Sequence, residues 1–180
     1  ILNPSPQVTS AEESWALGNY SEAGDAVLTR GMLAMALYNL SGHDFEDVGN
    51  VSLSDVSDAS CYKTAARWAV FTGIMTTDEN GDFSPRAAVS RESMLCALWR
   101  YAGFAGLQPE SVSADISRFR DSGLVSDYAM QAMRWAVGAG VTVGWSEDSL
   151  NPAGDATAAQ LTAAVIRMYN GRWDVPERAA

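Results

Sequence analysis

A segment of this chain occurs twice. The run Tyr62-Lys63-Thr64-Ala65-Ala66-Arg67-Trp68-Ala69-Val70, closed by Gly73, returns between Tyr128 and Gly140, with a shared core of Arg-Trp-Ala-Val-x-x-Gly. Trp68 and Trp135 stand 67 residues apart, as do Gly73 and Gly140. The same offset pairs Phe83 with Leu150, Pro85 with Pro152, Ser90 with Thr157 and Arg100 with Arg167. Upstream, Leu53-Ser54-Asp55 matches Phe119-Arg120-Asp121 one residue out of step. A third copy is partial: Thr29-Arg30-Gly31-Met32-Leu33 corresponds to Ser90-Arg91-Glu92-Ser93-Met94 at an offset of 61. Its front half is absent, because Gln7 and Glu12 stand where the tryptophan and glycine belong. A repeat of this size cannot bury its apolar face alone, so neighbouring copies must supply the core. The pattern does not choose between an open stack and a closed ring about a pseudo-threefold axis.

Each full copy reads as helix, loop, helix, and the expected fold class is mainly α. Tyr62, Ala65, Ala66, Ala69 and Val70 recur at helical spacing, one apolar stripe, and Gly73 suits a left-handed C-terminal cap. Asp78-Glu79-Asn80-Gly81-Asp82 has turn composition. Ser90 is a good N-cap for a second helix striped by Met94, Leu95, Leu98 and Ala102 and ended by Gly103. Thr157 caps the last helix, with Leu161, Ala164, Val165 and Met168 on one face. Ser10 and Glu13 have capping-box spacing ahead of Trp15, Ala16 and Leu17, which predicts a short helix in place of the missing half-repeat. The expected organisation is a tail over 1–9, a repeat domain over 10–170 (copies at 10–42, 53–103 and 119–170) and a C-terminal tail over 171–180 in which Trp173 is the candidate docking residue. Short extended pairs are allowed in the loops.

Charge and composition exclude several functions. A net charge of −10 argues against a nucleic-acid module, which carries a basic face. An anionic ligand would have to be held at points, by individual arginines. No apolar run approaches the roughly 18 residues of a membrane span, so membrane insertion is not expected. Cys61 and Cys96 are expected to pack as small apolar residues, with a bridge between them left open. The single histidine, His43, sits between Gly42 and Asp44 and reads as a loop residue; no metal or other cofactor is implied. There is no Gly-x-Ser-x-Gly, phosphate loop or catalytic Cys/His set, and the expectation is a protein that is not an enzyme.

The ordered set of motifs resembles the S-layer homology (SLH) family. Copy two shows Leu53-Ser54-Asp55-Val56, Trp68-Ala69, Gly73-Ile74, Asn80-Gly81-Asp82-Phe83-Ser84-Pro85 and Ser90-Arg91-Glu92. Copy three shows Phe119-Arg120-Asp121, Asp127-Tyr128-Ala129, Gly140-Val141-Thr142-Val143-Gly144, Leu150-Asn151-Pro152 and Thr157-Ala158-Ala159-Gln160. Copy one keeps Thr29-Arg30. The resemblance implies a pseudo-threefold helical bundle. It also implies non-covalent anchoring to a secondary cell-wall polysaccharide, often through a pyruvylated sugar, by a protein of the cell surface or S-layer. The ligand sites would lie in grooves between repeats, and the arginine at the start of each second helix would meet the ketal carboxylate.

Elementary chemistry supports such a role. Ser90 and Arg91, like Thr29 and Arg30, place a guanidinium at a helix N-terminus, where unpaired N–H groups and the dipole attract anions. A guanidinium pairs with a carboxylate in a bidentate fork. Gly73, Gly140 and Gly144 would admit a sugar close to the backbone, and Trp145 would either stack on an apolar sugar face or pack. Against this, Arg30 and Arg91 could pair with surface carboxylates, Trp68 and Trp135 are expected in the core, Trp99 is expected partly buried, and Glu92 is expected to favour the helix dipole. Copy three has Ala158 where the arginine belongs and Gln160 where a glutamate belongs. The expectation is one good site at Arg91 and a second at Arg30. The alternative is a degenerate module that docks another surface protein or self-associates.

Overall fold

The computed structural model describes residues 24–42, 51–107 and 109–170. They form five α-helices: α1 (Arg30–Ser41), α2 (Lys63–Phe71), α3 (Arg91–Phe104), α4 (Met130–Gly138) and α5 (Ala158–Asn170), with 3-10 turns at Pro109–Ser111, Ser122–Leu124 and Asp127–Ala129. Among the described residues the extended pairs are isolated bridges, so the chain is mainly α. The tail over 1–9, the Ser10/Glu13 capping box, His43 and the segment over 171–180 lie outside the described residues.

The stripes form as their spacing predicts. Ala65, Ala66 and Ala69 of α2, Met94, Leu95, Leu98 and Ala102 of α3, and Leu161, Ala164 and Met168 of α5 are all buried. Trp68 is fully enclosed: it meets Tyr38 of α1 edge-on at 5.6 Å and Phe104 of α3 at 5.7 Å, a geometry favourable to aromatic pairs. Trp135 is equally enclosed, and Trp99 is partly buried. Gly73 and Gly140 follow α2 and α4 with φ of 73° and 70°, the left-handed closure expected of a glycine cap.

Three local expectations are corrected. Gly103 lies within α3, which continues to Phe104; the left-handed residue is Gly106, with φ of 77°, because the Ala105 N–H still reaches the Tyr101 carbonyl. Tyr62 and Tyr128 are not equivalent. Tyr62 immediately precedes α2 as Ala129 precedes α4; both are buried, whereas Tyr128 is exposed. Cys61 is exposed rather than packed, Cys96 is buried, and no disulfide joins them.

The copies close into a ring. The Leu28 N–H donates to the Ala156 carbonyl at 2.8 Å, the Ala156 N–H to Val89 at 2.8 Å, and the Val89 N–H to Leu28 at 2.9 Å. These residues each precede an N-cap, Thr29, Ser90 or Thr157, so one position from each copy forms a cyclic triad on the pseudo-threefold axis. The next N–H groups continue the scheme. Arg30 and Gly31 donate to Ala87 and Pro85, Arg91 and Glu92 to Gly154 and Pro152, and Ala158 and Ala159 to Ala26 and Gly24. Every second helix thus starts against the loop of another copy. Packing is interleaved too: α1 packs on α2 and α3 on α4, so the second helix of one copy covers the first helix of the next.

Candidate ligand-binding grooves

The interleaving leaves a groove beside each arginine. The loop opposite Arg91 is set by Asp121, whose carboxylate accepts from the Leu150 N–H at 2.8 Å, the Asn151 N–H at 2.7 Å and the Ser149 hydroxyl at 2.7 Å. These bonds hold Asn151 at φ of 49°, a left-handed conformation unusual outside glycine. Burial alone would raise the Asp121 pKa, but the donors from Leu150, Ser149 and Asn151 outweigh it and hold the carboxyl below its ordinary range. Asp55 pins the loop of copy two, its carboxylate accepting from the N–H groups of Phe83 and Ser84, with Ser84 at φ of 55°. The carbonyl of the pinned loop then faces the arginine: Arg91 Nε donates to Leu150 at 3.0 Å, and Arg30 Nε to Phe83 at 2.6 Å. The Leu53-Ser54-Asp55 and Phe83-Ser84-Pro85 stretches, like Phe119-Arg120-Asp121 and Leu150-Asn151-Pro152, are therefore parts of one support for a guanidinium.

Arg91 is only 5 % exposed, yet among the described residues it forms no ion pair. Its second anchor is Gln160 of α5, whose side-chain oxygen accepts from Nη1 at 3.0 Å. Burial lowers the guanidinium pKa from its usual value, and the charge of Asp121 opposes that; an arginine remains cationic regardless. The Trp145 ring lies 5.4 Å from the guanidinium carbon and is 56 % exposed. These residues line a groove of about 560 Å³ between copies two and three, together with Gly144, Val143 and Arg167 and, from copy one, Asp25. A Cβ on Gly144 would come within 2.6 Å of the Ser146 carbonyl, so this glycine is demanded by its own turn.

The groove beside Arg30 is smaller, about 110 Å³, and is lined by Thr76, Ser93, Arg100 and Tyr128 among others. Arg30 donates to the carbonyls of Phe83 and Thr76 and lies over the Phe83 ring at 4.8 Å. Its burial lowers its pKa, against the charges of Asp55 and Asp78. Asp78 occupies the position equivalent to Trp145, so an acidic residue stands where the larger groove has an aromatic one. Tyr128 narrows the space further; its hydroxyl lies 3.2 Å from the Ser93 hydroxyl and donates to Glu92 at 2.9 Å.

The other candidate residues are placed differently. The hydroxyls of Ser90 and Thr29 cap their helices, accepting from the N–H groups of Ser93 and Met32, each at 3.2 Å. The expectation that the helix N–H groups stand open to an anion is corrected, because the first two on each helix bond to loop carbonyls and the third to the cap. Gly73 and Gly140 are absent from the described lining of both grooves. Glu92 does not simply favour a helix dipole. It is buried, and its carboxylate accepts from the Ser126 N–H at 3.0 Å, the Ser126 hydroxyl at 2.8 Å and Tyr128, tying α3 to the entry of α4. The carboxylate-pairing alternative does not describe Arg30 or Arg91 among the described residues. Sequence reasoning passed over Arg100 and Arg167 as groove residues, although their match across copies was visible; nothing in the sequence marks the bond from Gln160 to Arg91.

Residues 52–95 and 118–162 each match the family model described as the S-layer homology domain. No curated protein matches the chain.

Proposed function

This chain belongs to the S-layer homology family, and on that premise we propose that it anchors a surface protein to the bacterial cell wall by gripping an acidic sugar of a secondary wall polysaccharide. Domains of this family are generally cell-wall anchoring modules rather than enzymes, and imply a protein associated with the cell wall. The observation that carries the finer reading is Arg91: a cation with two donors fixed on neutral acceptors, no carboxylate partner among the described residues, and a place in the lining of an open groove. A guanidinium held this way can take a ligand carboxylate in a charge-assisted pair. Trp145 offers a ring face to the sugar, and Arg167 adds a second positive charge. The Arg30 groove is the weaker candidate, being smaller and lacking an aromatic residue equivalent to Trp145. Where the third such groove would form, Ala158 supplies no guanidinium.

The test is pull-down on purified cell walls before and after the secondary polymer is chemically removed. Binding should disappear with the polymer. Binding that survives stripping would sink the polysaccharide reading and favour a protein or peptidoglycan partner.

A further inference from the structure

We infer that Asp25 is a specificity-determining residue of the larger groove: it reads a hydrogen-bond-donating edge of the same sugar whose carboxylate meets Arg91, and it turns away polyanions. This rests on the reading of that groove as a carboxylate site. Three charged side chains line the groove, Arg91 from copy two, Arg167 from copy three and Asp25 from copy one. Among the described residues none of the three is ion-paired, and no hydrogen bond engages the Asp25 carboxylate. Asp25 is exposed, yet its backbone is fixed. The carbonyls of Gly24 and Ala26 accept from the N–H groups of Ala159 and Ala158 at 2.8 and 3.0 Å, which seats Asp25 over the first turn of α5. Arg91 meets the same end of α5 through Gln160, and Arg167 stands about two turns further along the helix. A ligand that is only anionic gains at Arg91 and Arg167 and loses at Asp25, because like charges repel. A sugar with one carboxylate and free hydroxyl or amino groups gains at both ends. Its carboxylate pairs with Arg91, and its donors reach the acceptor-only group of Asp25. A chain with a negative charge at every unit must lay one of them against Asp25, which discriminates by repulsion. The positions corresponding to Asp25 are Arg86 in copy two and Ala153 in copy three. Neither lines the Arg30 groove, so among the described residues this acid sets the larger groove apart.

The sign of the response to losing the acid separates the two classes of ligand. Isotherms compare the native chain, D25A, D25N and R91A against purified wall polymer, the same polymer with its carboxyl groups reduced, and inorganic polyphosphate. The native chain should prefer the carboxylated polymer and bind polyphosphate least. D25A should bind the wall polymer roughly five- to tenfold more weakly, the scale of a hydrogen bond to a charged acceptor at an exposed site. It should show a similar loss on the reduced polymer, because the edge Asp25 reads is not the carboxylate. Its affinity for polyphosphate should rise. D25N keeps an acceptor without the charge, and should show the polyphosphate gain with a smaller loss on the polymer. Both variants should melt at the native temperature, since the native carboxylate bonds to nothing among the described residues. Unchanged or tighter binding of D25A to the wall polymer, alongside loss in R91A, would overturn the role of Asp25 and leave the anchoring reading standing. A flat polyphosphate response in both Asp25 variants refutes the rejection of polyanions. Native binding that ignores carboxyl reduction would overturn the anchoring reading and the selectivity drawn from it.

Discussion

Arg91 is held at one end by a backbone carbonyl and at the other by an amide, so its removal should disturb the ligand more than the fold. R91A should lower binding to the wall polymer at least tenfold while the chain still unfolds cooperatively at a lowered melting temperature, since two internal bonds are lost as well; comparing an isotherm with a thermal scan separates the two. Asp121 has the opposite balance, since its contacts are internal. Replacing it with alanine leaves two backbone N–H groups and the Ser149 hydroxyl without their acceptor, and should cost roughly 2 kcal/mol of stability in denaturant titration. Its folded pKa lies below the unfolded value of about 3.9, so its contribution is present in full above that pH. The contribution fades as pH falls through the lower, folded pKa, and D121N should flatten that acid limb. The cysteines differ in burial: desolvation, the largest influence, pushes the Cys96 thiol up to about 11, while Cys61 is exposed. Iodoacetamide under native conditions should therefore label Cys61, with a second adduct in mass spectra only after unfolding.

The helices were legible because their stripes, caps and stop residues are local chemistry. Ser90, Thr29 and Thr157 cap where the pattern places them, and Trp68 and Trp135 lie in the core. What each helix touches was not legible. Gly31 on α1 shows why: a Cβ there would meet the Tyr62 ring at 2.8 Å and the Pro85 carbonyl at 3.0 Å, a contact between copies that no spacing announces. G31A should destabilise the protein by about 1–3 kcal/mol through overpacking, read as a lowered denaturation midpoint. At the corresponding place on α3, Glu92 reaches Ser126 and Tyr128. One position thus makes two unrelated joints, a ring over a glycine and a carboxylate clamp.

Closure about the Leu28, Val89 and Ala156 triad makes the described copies one cooperative unit, unlike an open stack whose repeats loosen from the ends. The amides of those three residues should exchange with solvent only through global unfolding, and hydrogen exchange followed by NMR reads them directly; early exchange at any one would contradict the closed ring. The two grooves follow from the same closure, since each is walled by elements of different copies. By itself the sequence determined the repeat, the helices, the family likeness and the arginines at the helix starts, because periodicity, capping and turn chemistry act over a few residues. Only the tertiary structure decided that the ring closes, that the helix N–H groups are already bonded, and that Gln160, Trp145 and Arg167 gather around Arg91. Those outcomes depend on which copy's loop meets which helix, a long-range choice made by packing.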